Sequence, residues 1–382
     1  MTTTAQTRIL PFAPLATTAP DKATETIIDA ATAQVDETWR RSIPAQVFLN
    51  YFFAINYHIE ESDDVYGGLA HLPFFRTHQA ELDETGVAAI TKLLHTCWST
   101  EYALRATAEL GDDNFLRNAL HWTFPQAYHA ILSGLQAFLY TTGVRSNNAQ
   151  LIRREVGRLV VKNAYPRPVS FYAAGSYGDF SIHRLPLAGY KAGLHIASKE
   201  IDAQAQIGQF LRTTRKLKAN WTRAQVQANP NTAIRSQKTG RPLDKWTAAH
   251  WQQITWRLGY TTIFDLLGRL RISQTSREIE RYVEADIDFR LFHTSLLNIV
   301  SYLNGVHETY VAKALGLERY QQLVNELPVH LQGSFVAERL RTRVAPVLAH
   351  TLAATQIMLG VQTVDTPSDA SATQIDDYRL AA

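Results

Sequence analysis

Apolar residues recur at steps of three and four along most of the chain, the spacing of helices that bury one face. The stretch 112–143 shows it best. Leu120, Phe124, Tyr128, Ile131, Leu132, Leu135, Phe138 and Leu139 fall on one stripe, opened by Asp112 and Asp113 and closed by Gly143. A long central helix is expected there. Pro125 lacks an N–H and crowds the preceding turn, so a kink is expected near His121. The same periodicity predicts helices over 21–41, 44–59, 83–110, 148–162, 194–217, 244–258, 260–271, 274–283, 285–315, 317–327 and 331–360.

The pattern changes at 163–193, which is rich in Pro and Gly. Short apolar alternation there predicts a hairpin of 169–173 with 180–183. Residues 61–75 read as a loop, and so does 218–245, apart from room for a short helix. The regular alternation of strand and helix that builds a parallel sheet is absent. The expectation is an all-α multi-helix bundle with a long kinked central helix and a small hairpin insertion. It divides into an arm (1–20), an N-terminal helical part (21–162), the insertion (163–193), a C-terminal helical part (194–360) and an acidic tail (361–382). Arm and tail, rich in Thr, Ser, Ala and Pro, are expected to be disordered.

Composition narrows the chemistry. The chain has 382 residues, 46% of them hydrophobic and 19% charged, ample for a sizeable core. One cysteine, Cys97, excludes an internal disulfide and any cysteine cage for zinc or an iron–sulfur cluster within one chain. No continuous apolar run has the length of a secretory signal or a membrane span, so a cytoplasmic location and no membrane partner are expected. The phosphate-loop, nucleophile-elbow and HExxH patterns are missing, and no Glu is followed three residues later by His. His307-Glu308 is an adjacent pair pointing different ways on a helix. No metal and no cofactor are expected.

Three constellations remain. Arg117 and His121 stand one turn apart, with His129 beyond them, where a cation beside an imidazole would favour the neutral base. Residues 212–245 carry nine Lys or Arg against one Asp, in a chain of net charge +3. Arg212, Arg215, Lys216, Lys218, Arg223, Arg235, Lys238 and Arg241 with Trp221 form a strip suited to a phosphate backbone and a stacked base. Arg343 precedes His350 by seven residues, about two turns, so both would share a helix face. An imidazole there could move a 2′-hydroxyl proton while the guanidinium stabilises phosphorane charge.

One family shares part of this pattern. Arg117–Gly143, with Ala127-Tyr128-His129-Ala130 and Ala137-Phe138-Leu139, resembles the helix of HEPN (higher eukaryotes and prokaryotes nucleotide-binding) proteins. The helix at 148–162 is similar to its hairpin partner. The run from Leu267 through Leu270 to Tyr282 and 285–315 resembles larger bacterial defence members. The resemblance implies an all-α bundle, homo-oligomer formation, and either metal-independent RNA cleavage or a non-catalytic role in phage defence. Active members use an Arg and a His with four to six residues between them and a polar residue right after the Arg. Arg343 and His350 meet the spacing with Val344 in the polar place, and Arg117 with His121 does not. The alternative expectation is a non-catalytic helical scaffold that docks nucleic acid or a protein partner through 212–245.

Overall fold

The computed structural model describes residues 42–62, 67–236, 239–270 and 281–358. The expected arm, the helix at 21–41, the acidic tail, most of 274–283 and Lys238 lie outside the described residues. What is described is all-α with a small sheet. Its longer helices are α1 (42–60), α2 (Glu84–Leu110), α3 (Leu120–Thr141), α4 (Ala149–Val161) and α5 (Glu200–Ala228). They continue as α6 (Ile263–Arg269), α7 (Phe289–Leu315), α8 (Leu317–Asn325) and α9. Helix α9 runs from Phe335 to Met358 and contains a π-helical turn at Leu340–Val344.

Helices α2, α3 and α7 form the centre. Helix α3 packs most extensively on α2 and next on α7, which also meets α2. Every residue of 299–312 in α7 is buried, so this helix is covered on all sides. Local signals set the ends of these helices. The Asp83 carboxylate accepts the Gly86 N–H at 2.9 Å to start α2, and Asp288 does the same for Leu291 at α7. The core joins residues on both sides of the 163–193 insertion, from Phe48 through Phe138 to Val347. A satellite cluster of Ala219, Val226, Trp251, Ile254 and Leu258 lies under the end of α5.

The central stretch is interrupted two residues before His121, close to where the kink was expected. Asp112 caps a short helix, Asp113–Asn118, whose chain turns at Ala119 before α3 begins at Leu120. The bend therefore precedes Pro125 by six residues, and Pro125 stays inside α3. Ala119 carries the change with a helical φ and a ψ of −12°, its carbonyl taking the N–H groups of both Trp122 and Thr123. The expected loop at 61–75 also holds two short helices, Gly67–His71 and Pro73–Thr77.

The hairpin is present, with β1 (Tyr172–Gly175) two to three residues later than expected and antiparallel to β2 (Phe180–His183), which lies where expected. Gly175 closes it at φ +120°, where an added Cβ would lie 2.5 Å from the Asp179 carbonyl, so only glycine fits. A third strand, β3 (Thr261–Thr262), pairs with the other edge of β1. It occupies the start of the helix expected at 260–271. Thr262 then caps α6, and its N–H donates to Asp265 at 2.9 Å. The helix expected at 244–258 is two short pieces, Ala248–Gln253 and Thr255–Leu258.

Arg215 ties this sheet to α5. It is fully buried and donates to the carbonyls of Ala173, Gly175 and Gly259 and to Thr261 Oγ1. Burial lowers its guanidinium to about 10, still charged at neutral pH. Arg215→Met is expected to lower stability by about 2–3 kcal/mol in urea titrations, because it strands several buried carbonyls at once. A loss under about 0.5 kcal/mol would mean that water replaces the guanidinium there.

Candidate functional site

The expected catalytic residues are not brought together. Arg117 is exposed on the short helix, with its guanidinium 5.3 Å from the Phe289 ring centre. His121 is exposed with its ring against Trp122, and His129 is exposed beside Tyr128. The buried face of α3 is largely apolar instead. Arg343 is half-buried and donates to Ser301 Oγ at 3.4 Å, whereas His350 is exposed to solvent.

The basic segment divides into two sets. Residues 212–223 are not loop but the C-terminal half of α5, because the helix continues to Ala228. Arg212 donates to the Ala188 carbonyl at 2.7 Å, and Arg215 holds the sheet. Lys218 donates to the Tyr260 carbonyl and pairs with Asp265 at 3.0 Å. Arg223 donates to the Asp244 carbonyl and lies over the rings of Trp246 and Trp251. These four cations serve the fold. Lys216, Arg235 and Arg241 are exposed, and so is Trp221, at 52%.

The loop after α5 is held in place beside that surface. Gln227 donates to the Leu243 carbonyl at 3.0 Å, and Leu243 N–H donates to the Ile234 carbonyl at 2.9 Å. Arg235 faces Pro242 in an antiparallel bridge and donates to the Gly240 carbonyl. Arg235 and Arg241 are thus presented on a small folded loop against the end of α5. A second exposed aromatic, Trp256 at 74%, sits on Thr255–Leu258, which packs on α5, and Arg257 stacks on its ring. Sequence reading missed Trp256 and Arg257. The Trp-Arg dipeptide beside apolar Ile254 and Leu258 was the available signal.

The other concentration of charge is internal. Glu101 of α2 and Glu308 of α7 are fully buried and both accept from Arg339 of α9. Glu101 also accepts from Asn304 at 2.8 Å and Arg105 at 3.0 Å, and Tyr320 donates to Glu308 at 2.8 Å. Burial pushes the Glu101 carboxyl up, yet Arg339 and Arg105 beside it hold it below the usual range. For Glu308 burial prevails and the carboxyl is raised. Next to it on α7, His307 turns the other way and shares a 3.0 Å hydrogen bond with Tyr165 Oη. Burial lowers its imidazole to about 3. Such a dry network is built to hold helices together rather than to meet a substrate.

A shallow, mostly apolar groove runs between α3, α4 and α6, lined by Tyr128, Ile131, Leu135, Ile152, Arg153 and Leu267. Among the described residues no group of three or more His, Cys, Asp or Glu is placed to hold a metal ion. Among them also, no helix is long and apolar enough to cross a membrane. No family model matches the chain, and no curated protein or solved structure matches it either.

Proposed function

We propose that the protein binds single-stranded RNA on the outer face of the second half of α5 and the loop behind it, without cutting the strand. The observation that carries this is Trp221. A tryptophan half exposed on a helix, one turn from the exposed Leu217, offers a flat platform for a base. Lys216, Arg235 and Arg241 supply the cations that a sugar-phosphate backbone needs. The separation of Arg343 from His350, one facing Ser301 and the other solvent, argues for docking over cleavage. A non-catalytic part in a bacterial defence or stress response, as the HEPN resemblance implies, fits such binding.

Fluorescence anisotropy with a labelled single-stranded RNA tests it. Binding is expected to weaken steeply as salt rises. Trp221→Ala is expected to cost about 1–3 kcal/mol, roughly fivefold or more in affinity, through the loss of stacking. Lys216→Ala with Arg241→Ala should flatten the salt dependence by roughly 0.7 in log–log slope for each phosphate that is no longer neutralised. The RNA should remain intact throughout, and His350→Ala or His121→Ala should leave binding unchanged. Affinity that ignores both salt and Trp221 would overturn this reading.

A further inference from the structure

The groove between α3, α4 and α6 joins an apolar wall to a charged edge. Tyr128 and Leu132 stand half-buried on the α3 side, one turn apart, and Leu267 and Gly268 form the α6 side. Arg153 of α4 is exposed at the edge, its Nη1 3.3 Å from where a Cβ on Gly268 would lie. Its neighbours Arg154 and Arg158 share Glu155, whereas Arg153 has no carboxylate partner among the described residues.

The described chain starts beside this groove. In the first turns of α1, the Phe48 ring lies 4.4 Å from the Arg269 guanidinium and 6.3 Å from the Phe124 ring. Arg269 follows Gly268 on α6, and Phe124 is one turn before Tyr128 on α3. Ser42 is about 9 Å of helix from Phe48. The sequence before Ser42 has the pattern that such a groove takes. Ile27, Ile28, Ala31, Val35 and Trp39 fall on one helical stripe. Glu25, Asp29 and Asp36 fall together along one flank of it, and 21–37 holds five carboxylates against Lys22 alone. A helix over 21–39 would be about 28 Å long, against about 11 Å between Tyr128 and Leu135 on α3.

We propose that residues 21–39 dock as an amphipathic helix in this groove of their own chain. The apolar stripe lies on Tyr128, Leu132 and Leu267, and the acidic flank faces Arg153. Burial of both apolar surfaces drives the docking, and the charges set which way the helix lies. The connection to α1 is short, as it is between antiparallel helices, where about two to five residues suffice. This contact does not rest on the Trp221 surface.

Thiol labelling of the full chain tests it. Cys97 is fully buried, so in Leu132→Cys the introduced thiol is the reactive one. Its reaction with a bulky maleimide is expected to be slow. Adding Ile28→Asp with Val35→Asp should accelerate it about tenfold or more, the factor that about 1.4 kcal/mol of docking gives. Asp29→Lys with Asp36→Lys should accelerate it too, and Arg153→Glu added to that pair should slow it again, because the charges are then exchanged. Should Leu132→Cys fail to fold, Arg153→Cys at the exposed edge carries the same comparison with the two aspartate substitutions. A benzoylphenylalanine photocrosslinker in place of Tyr128 identifies the occupant. It is expected to join 21–39 of the same chain, so a mixture of light and heavy-isotope protein gives no light–heavy product. A light–heavy product, or crosslinks that never reach 21–39, would overturn the proposal. So would a labelling rate that ignores Ile28→Asp with Val35→Asp.

Discussion

Arg339→Ala is expected to lower the unfolding free energy by about 3–5 kcal/mol, seen as a lower urea midpoint with an unchanged slope. Among the described residues, Arg339 is the side chain that pairs with both Glu101 and Glu308. It joins α2, α7 and α9 at one point. Bringing these three charged groups out of water costs several kcal/mol each, and only their mutual bonds offset it. Deleting the cation leaves two carboxylates facing each other in an apolar interior. Arg105 and Asn304 still reach Glu101, so the burden falls on Glu308, with Tyr320 as its remaining donor. The Glu308→Gln change in the Arg339→Ala background should therefore recover part of the loss. A drop below about 1 kcal/mol in the single variant would show that water enters and solvates the pair. Replacing Glu101, Glu308 and Arg339 together by apolar residues of similar volume is expected to cost far less than the single change.

The helical architecture was legible because a helix announces itself locally. Asp83, Asp112 and Asn148 each cap the helix that follows them, and the three- and four-residue stripes mark the faces that are buried. Boundaries failed where tertiary contacts outweigh local preference. Thr261 and Thr262 extend because β1 offers an edge to pair with, and α5 continues to Ala228 because the satellite cluster packs under its end. The same limit governs the site. A run of cations in sequence cannot say which of them turn inward, and the fold uses Arg212, Arg215, Lys218 and Arg223 for backbone carbonyls and rings. Spacing placed Arg343 with His350. It could not foresee that Ser301, 42 positions earlier in the chain, would hold the arginine. Glu101 and Glu308 were not singled out in the sequence, because only the packing of α2 and α7 against α9 brings them both to Arg339.

Acidification is expected to remove about 5 kcal/mol of stability between pH 6.5 and 4.5, before the carboxylates are fully protonated. His307 carries most of the argument. Burial lowers its imidazole from the ordinary 6.5 to about 3, while the unfolded chain keeps the ordinary value. Below 6.5 the unfolded state therefore takes up a proton that the folded state refuses. Each pH unit then costs about 1.4 kcal/mol for such a group. His78 acts in the same direction. Burial and then Lys313 lower it to about 4, and it sits in the core hydrogen-bonded to Thr141 Oγ1 at 2.9 Å. Burial also lowers His58 and His293. Glu308 works against the trend, because its raised carboxyl binds a proton in the folded state before the unfolded one does. Its help begins only as the pH nears the carboxylate range, and Glu101, held low, removes stability there. The net result is a steep fall from 6.5 that moderates near the bottom of the window. Urea titrations at stepped pH measure it. His307→Gln should flatten the profile by about one proton even where it lowers stability at pH 7, because the variant keeps the packing of α7 and loses the titrating group. A stability that stays level from pH 6.5 to 4.5 would mean that His307 and His78 take up protons inside the folded chain.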